Sequence, residues 1–493
     1  MDPKHLGTLR TLGEIIEYLQ GSTASSSAAS ESSAAGVAPA GLPSSVTETG
    51  TVSKAAVGRF ALRVVPAPAA GLGLAGLGQA RRIAITEDGR GVAGALAKLF
   101  QTAGYAAEAA TAVPNDADAV ISLAALRPAA DESAAIAVNR EAFAHAQAVA
   151  GRFSGDDVRG IFVTVQDLGG DFGLASLGQN LDRIDVYRGG VAGLAKTAAR
   201  EWPGAVVKAI DVAGRGRSPE EVARALFDEL TAGGLETEVG LLEDGSRVTL
   251  KSYADELNDF SESGDFVNQN SVIVATGGAR GVTAHTLVAL AKNFRPRLAL
   301  LGRTPLVEEA ENLRGITDDA RLKRALLEAA KSRGEKLTPV DLNREAGRIQ
   351  ANRDIRKTLE ALRAAGSEAR YFACDVKDEV QLGKVLDEIR SAWGPVTGLL
   401  HGAGVLADKL IAEKTSEQFD RVFDTKVEGM RTLFKATKDD PLSYICFFSS
   451  VAARAGNAGQ CDYAMANEIL NKVAGVEARR RGPDCLVKSM NWG

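Results

Sequence analysis

The chain has 493 residues, of which 45% are apolar and 25% charged, with a formal net charge of −5; these are the proportions of a folded globular protein long enough for two or three domains. No basic patch marks a nucleic-acid surface, no apolar run approaches the roughly 20 residues of a membrane span, and no basic-then-apolar leader opens the chain. Cys374, Cys446, Cys461 and Cys485 form no paired-cysteine motif and His5, His145, His285 and His401 are scattered, so reduced thiols, no metal site and a soluble cytoplasmic protein are expected.

In chain order, Leu6–Leu19 has helical spacing, with Leu9, Leu12, Ile15, Ile16 and Leu19 on one face. From 21 to 51 the residues are mostly Ser, Ala, Gly and Pro, too poor in large apolar groups to offset ordering entropy, and a flexible linker is expected. Next come strand-like runs at Arg82–Thr86, Ala119–Leu123, Gly160–Val165 and Val206–Val212, separated by helical patterns such as Val92–Thr102 and Gly189–Glu201. Glu238–Leu250, with Asp244-Gly245 between apolar runs, reads as a hairpin. A second series of strands is expected at Val272–Ala275, Leu298–Leu301, Ala369–Cys374, Gly398–His401, Ser443–Ser449 and Cys485–Asn491. The fold class is therefore α/β, with two tandem Rossmann-like, doubly wound parallel sheets. Between Arg303 and Ile355 lies a charged, Leu-studded stretch with helical spacing over Ala320–Lys331, far longer than an ordinary βα connection; a solvated helical elaboration is the plain reading.

The chemistry concentrates in the second series. Thr276, Gly277, Gly278, Ala279, Arg280, Gly281 and Val282 follow a strand and open a helix, where glycines admit a pyrophosphate close to the backbone and the helix N-terminus favours negative charge. Arg303 stands where NAD-binding sheets carry an acidic residue. With Arg280 it suits the 2′-phosphate of NADPH. Asp375 and Val376, ending the third strand, would flank the adenine, and Gly402, Ala403 and Gly404 after the fourth strand are further cofactor contacts. Reducing a ketone by hydride requires a proton for the developing alkoxide. Tyr463 can deliver it if its phenol, ordinarily near pKa ~10, is acidified by the ammonium of Lys426. Ser450, at a strand end, can hold the carbonyl, and Asn467, one turn after Tyr463, can order the lysine and a water relay.

These motifs, TGGARGVT from Thr276, HGAGVL from His401, KVEG from Lys426, FSSVAARAGNAGQCDYAMAN from Phe448 and MNWG from Met490, closely resemble the ketoreductase domains of modular polyketide synthases, which are short-chain dehydrogenases/reductases. In that family the catalytic Lys precedes the Ser and Tyr and the Asn follows, as with Lys426, Ser450, Tyr463 and Asn467 here. The first α/β unit resembles the cofactor-free structural subdomain of such ketoreductases. Its loop from Thr86 to Gly91 is acidic where phosphate would sit, and Tyr187 has no Lys one turn on. The GGARGVTA loop and the long insertion after Gly302-Arg303 look like the ketoreductase of iterative polyunsaturated fatty acid synthases, and Leu6–Leu19 resembles the last helix of an acyl carrier protein.

The resemblance implies NADPH-dependent reduction of a 3-ketoacyl chain held by phosphopantetheine on an acyl carrier protein, inside a multidomain synthase that supplies the other partner domains. Two alternatives stay open: the ketoreductase of a polyketide synthase, and a catalytically silent scaffold that docks carriers. The expected domains are a carrier remnant at 1–20, the linker at 21–51, a structural subdomain at 52–265 and a catalytic subdomain at 266–493. Thr283 replaces the last glycine of the common loop and should crowd helix–strand packing only mildly; His401 reads as structural. The chain stops at Asn491-Trp492-Gly493, where the family continues into a further strand and substrate lid, so a C-terminally truncated fragment is expected. Asp408 in Val405-Leu406-Ala407-Asp408 keeps one Asp of the signature of (3R)-producing ketoreductases, and Ala455 is not the Trp tied to opposite facial entry.

Overall fold

The computed structural model describes residues 58–155, 160–174, 181–255 and 266–493. The expected helix at Leu6–Leu19, the linker at 21–51 and the boundary near 265 lie outside the described residues. In the first half, runs of Val, Ile and Ala form β1 (Phe60–Pro66), β2 (Ile83–Thr86), β3 (Ala107–Ala110), β4 (Ala119–Ala125), β5 (Ile161–Gln166), β6 (Val206–Val212), β7 (Glu238–Leu241) and β8 (Arg247–Ala254). The helices between them are α1 (Val92–Thr102), α2 (Glu132–Phe153), α3 (Arg183–Tyr187), α4 (Val191–Glu201) and α5 (Pro219–Ala232). The sheet runs β1-β8-β7-β6-β5-β4-β2-β3. Strands β2 to β7 are parallel. The hairpin expected at Asp244-Gly245 forms and makes β8 antiparallel to β7, and β1 then pairs antiparallel with β8. One edge of this sheet is therefore mixed, an addition to the expected parallel core.

The second half contributes β9 (Val272–Thr276), β10 (Arg297–Gly302), β11 (Ala369–Ala373), β12 (Gly398–His401), β13 (Tyr444–Ser450) and β14 (Leu486–Trp492). Its helices are α6 (Gly281–Phe294), α7 (Asp319–Ser332), α8 (Pro339–Ala364), α9 (Glu379–Trp393), α10 (Ser416–Ala436), α11 (Val451–Ala455) and α12 (Cys461–Arg481). The strands are parallel in the order β11-β10-β9-β12-β13-β14, so the winding direction reverses between β9 and β12. In open α/β sheets the crevice beyond the strand ends at such a reversal is where ligands bind.

The insertion has a simple construction. Helix α8 opens on a capping box between Thr338 and Asp341 with Pro339 at the first helical position. Its first half packs Ala346 and Ile349 against Leu322 and Leu326 of α7, a small core of its own. Its second half packs Ile355, Leu359 and Leu362 on the sheet. The excursion is thus an added helix, α7, together with an N-terminal extension of the ordinary crossover helix.

Residues 58–493 form one compact unit, because a single apolar core runs through both sheets. Phe143 of α2 stacks on Phe419 of α10 with ring centroids 4.5 Å apart, and Arg140 beside it pairs with Asp420 at 2.6 Å and Asp424 at 2.5 Å. Helices α4 and α12 meet backbone to backbone: a Cβ on Gly193 would lie 2.8 Å from the Ala464 carbonyl. Buried charges continue the seam. Lys196 Nζ donates to Glu238 Oε1 (2.9 Å) and Glu468 Oε1 (2.6 Å), and Lys472 Nζ lies 3.2 Å from Glu468 Oε2.

Gly193→Leu should therefore wedge α4 off α12 and lower stability by ~1–3 kcal/mol, whereas Gly94→Ala in α1, with nothing within 4 Å of the new methyl, should be neutral or stabilise by up to ~1 kcal/mol. Thermal melts followed by circular dichroism check the pair; equal melting temperatures for Gly193→Leu and wild type would contradict the direct backbone contact.

Candidate active site

Strand β9 ends in Thr276 and the chain turns through Gly277, at φ +67°, before α6 begins at Gly281, at φ +61°. A Cβ on Gly277 would sit 2.7 Å from the Gly402 carbonyl oxygen, so the loops after β9 and β12 touch at a point only glycine allows. A Cβ on Gly278 would strike Leu287 at 2.8 Å, while one on Gly281 would meet nothing within 4 Å. The loop thus has two glycines that let the chain pack and one that leaves its outer side open. Ala279 is buried, and its carbonyl is held by Thr358 Oγ1 of α8 at 2.8 Å. Thr283 is buried against Gly402, filling the space beside it.

Arg280, Val282 and Arg303 are exposed, and among the described residues neither arginine forms a salt bridge. The segment after Arg303 is pinned: Tyr371 Oη donates to the Thr304 carbonyl at 2.8 Å, and Asn352 of α8 accepts from Val307 N at 2.8 Å. Burial raises the Tyr371 phenol, and the Arg280 charge and the bond to the Thr304 carbonyl draw it back. These two free guanidinium groups beside an open glycine loop are what a nucleotide phosphate requires. Asp375 is half-buried with its carboxylate capping Lys377 N at 3.1 Å. Val376 is buried where a Cβ on Gly429 would come within 2.7 Å of it, which accounts for the glycine of the KVEG motif.

The four expected catalytic residues converge at the ends of β12 and β13. Lys426, on α10, is 2% exposed, and its Nζ donates to the Phe448 carbonyl at 2.8 Å. The same nitrogen lies 5.3 Å from the centroid of the Tyr463 ring. Gly404 faces both, its Cβ position 3.3 Å from Lys426 Cε and 4.0 Å from Tyr463 Cε2. Ser450 ends β13 and caps α11, accepting from Ala452 N at 3.1 Å. Asn467 is fully buried with Nδ2 donating to the Tyr463 carbonyl at 2.9 Å, and its Oδ1 finds no protein partner.

Burial raises the Tyr463 phenol above its ordinary value; hydrogen bonding with Asn467 and Ser450 draws it back only in part, and the Asp408 charge adds to the rise. Burial in turn lowers Lys426 to about 7.

His401 does more than fill space. Its Nε2 is 2.9 Å from the Lys426 carbonyl oxygen and its Nδ1 2.8 Å from Thr276 Oγ1. Burial lowers its pKa to about 3, so the ring is neutral. A carbonyl can only accept, so Nε2 carries the proton and Nδ1 accepts from the Thr276 hydroxyl. Thr276 Oγ1 in turn accepts from Ala403 N at 3.2 Å. A single directed chain of hydrogen bonds thus joins the glycine loop, the loop after β12 and the helix bearing Lys426. Sequence reading also passed over Ser449, whose hydroxyl lies 3.2 Å from the Asn467 carbonyl and 2.9 Å from Asn491 Oδ1 and so ties α12 to β13 and β14.

In the first sheet the corresponding loop is internally satisfied. The buried Asp88 carboxylate accepts from Arg90 N and Ala93 N, both at 3.0 Å, using amides at the start of α1 that a phosphate would need. Tyr187 is fully buried.

Residues 271–493 match the KR domain family. The chain is 32% identical over 346 residues to a polyunsaturated fatty acid synthase polypeptide of Thraustochytrium sp., an alignment that covers 68% of this chain and 12% of that protein. It is 38% identical over 125 residues to polyketide synthase PksL of Bacillus subtilis, covering 25% of this chain and 3% of the relative. Among solved structures, the ketoreductase from the first module of phoslactomycin biosynthesis in Streptomyces sp. HK803 superposes with a TM-score of 0.61 at 21% identity, over 88% of this chain and 82% of that one. A ketoreductase domain from the bacillaene assembly line gives 0.56 at 22% identity, over 83% and 80%. Residues 271–493 are therefore a KR domain. The chain is similar over 68% of its length to the Thraustochytrium synthase polypeptide and over 25% to PksL, has the two-sheet ketoreductase fold, and spans only a small fraction of the length of those relatives.

Because Lys426 is buried with a single acceptor, Lys426→Met should remove a desolvation penalty while abolishing any reductase activity. The penalty is full below about pH 7, where folded and unfolded lysine are both charged. It fades as pH rises toward the ordinary lysine value of ~10.4. The variant should thus gain ~1–4 kcal/mol over wild type at pH 6 and progressively less at pH 9. Denaturant melts at the two pH values check this, and a variant less stable than wild type at pH 6 would contradict it.

Proposed function

We propose that this protein reduces a 3-ketoacyl thioester, presented on the phosphopantetheine arm of an acyl carrier protein, to the (3R)-hydroxyacyl thioester, with NADPH as reductant and as one part of a multidomain polyunsaturated fatty acid synthase. The observation that carries this reading is the placing of Lys426 and Tyr463 side by side against Gly404, beyond the glycine loop, with Ser450 at the end of β13 and Asn467 bonded to the Tyr463 carbonyl one turn along α12. The domain division follows: 52–265 as the structural subdomain and 266–493 as the catalytic one.

NADPH, when bound, supplies the hydride that adds to C3 of the ketone. The residues that would hold it are the glycine loop from Thr276 to Val282, Arg280 and Arg303 toward the 2′-phosphate, Asp375 and Val376 toward the adenine, and Gly402 to Gly404. The chain's own work is to orient the carbonyl and deliver a proton. Ser450 donates a hydrogen bond to the substrate oxygen, and Tyr463 gives its phenolic proton to the same oxygen as charge develops there. A phenol kept neutral by burial is a competent acid at the start of this step. The ammonium of Lys426 over its ring steadies the phenolate that follows. The unpartnered Oδ1 of Asn467 is an acceptor suited to a water that returns the proton.

The polyunsaturated fatty acid assignment over a polyketide one rests on extent. The match to the synthase polypeptide from Thraustochytrium covers 68% of the chain, against 25% for PksL. The (3R) product is inferred from Asp408, whose carboxylate accepts from Gln460 Nε2 at 3.0 Å beside the Tyr463 helix.

The test is NADPH-dependent reduction of a 3-ketoacyl thioester, with chiral analysis of the product, in wild type and Tyr463→Phe. Expected are a mainly (3R) alcohol and a loss of ~10²–10⁴-fold in the variant with NADPH affinity unchanged. Mainly (3S) product would reject the stereochemical assignment. Nucleotide binding without turnover in wild type would leave a carrier-docking scaffold.

A further inference from the structure

Two loops of the second sheet frame Tyr463. The first, between β12 and α10, carries Leu406 to Lys414; the second, between α11 and α12, carries Gly456 to Gln460. They are zipped to each other by Lys409 N donating to the Gly459 carbonyl at 3.0 Å and by Gln460 reaching Asp408. Their common anchor comes from the other sheet. Glu201, the last residue of α4, accepts from Ile411 N through Oε2 at 2.7 Å and from Gly459 N through Oε1 at 2.9 Å. Each carboxylate oxygen thus takes one loop.

Around it the fold closes the arrangement. Lys414 is 1% exposed and its Nζ donates to Asp462 Oδ2 at 2.8 Å and to the Ala407 carbonyl at 2.7 Å. Asp462 Oδ1 accepts from the Tyr463 amide at 2.8 Å. Gln147 of α2 adds a bond to the Lys414 carbonyl at 2.6 Å. Gly456 sits so close to α4 that a Cβ there would be 2.2 Å from the Lys196 carbonyl oxygen. No side chain could be interposed to take over the spacing.

We propose that Glu201, supplied by the nucleotide-free sheet, is a positioning residue for the reduction: its bidentate acceptance fixes the Leu406–Lys414 loop and the Tyr463 turn relative to each other and to α4. The inference rests on the reading of Tyr463 as proton donor. A carboxylate accepting one amide from each loop adds a tie from α4 to the direct bond between Lys409 N and the Gly459 carbonyl, and so sets the paired loops against the first sheet. Displacing a catalytic group by ~1 Å costs up to ~10²-fold in rate, and Glu201 holds Gly459, four residues before Tyr463, together with Ile411. Its second effect is on substrate more than on cofactor, because the glycine loop after β9 makes no bond to it.

The experiment compares wild type, Glu201→Ala and Glu201→Gln in the full chain by hydrogen exchange and by steady-state kinetics. Exchange at the Ile411 and Gly459 amides should quicken at least ~10-fold in Glu201→Ala, with exchange in β9 unchanged and NADPH affinity unchanged. In kinetics, kcat should fall ~10–100-fold and KM for the ketone should rise. Glu201→Gln, which keeps one acceptor, should fall between the two. Unaltered exchange at both amides, or wild-type kcat and KM in Glu201→Ala, overturns the proposal. Quickened exchange in a protein whose wild type shows no turnover would support the clamp while rejecting the ketoreductase reading, so the two failures are separable.

Discussion

The backbones of α4 and α12 touch at Gly193 and Ala464 with no side chain between them, and the placement of Tyr463 follows from that contact. Helix α12 carries Tyr463 and Asn467 on its first turns, lies against β13 and β14 on one side, and is set at a fixed distance from the first sheet on the other. Close contact transmits position because packed interiors deform little. The buried lysines and glutamates alongside add direction. Lys196 of α4 and Glu468 and Lys472 of α12 pair with one another and with Glu238 of β7, and breaking any one partner would strand a buried charge.

Within this frame the site uses neutral, directed hydrogen bonds more than strong fields. His401 is held neutral by burial and passes orientation from Thr276 to the Lys426 carbonyl. Lys426 is buried with one carbonyl acceptor, and Tyr463 keeps its proton because burial outweighs the hydrogen bonds of Asn467 and Ser450. Its surroundings thus hold this phenol on its neutral side. The first sheet shows the opposite solution at the equivalent turn. Asp88 supplies the negative charge internally and consumes the amides of α1.

Much of this was legible in the sequence because it is local. The glycine loop after β9, the Ser450 strand end, and the spacing from Tyr463 to Asn467 are short-range patterns, and Lys426 and Tyr463 come together against Gly404. Strand β1 was not legible: its partner β8 is far along the chain and its half-exposed Phe60–Pro66 lacks alternation. Strand β3 (AEAA) has no β-branched residue to mark it. The nearness of Lys426 to Tyr463 was legible from the motifs, but the bond from Nζ to the Phe448 carbonyl depends on tertiary packing. Glu201 and Gly193 carry no motif. Their roles exist only because two sheets distant in sequence share a seam.

That the second sheet alone carries the nucleotide chemistry, with the first sheet serving as its frame, is tested most directly by equilibrium titration of NADPH, followed by its fluorescence, in wild type, Gly277→Val and Asp88→Ala. A single site per chain, lost in Gly277→Val, where a side chain would collide with Gly402, and retained in Asp88→Ala, is the predicted result. NADPH binding that survives Gly277→Val, or a second site in wild type that responds to Asp88→Ala, would contradict it.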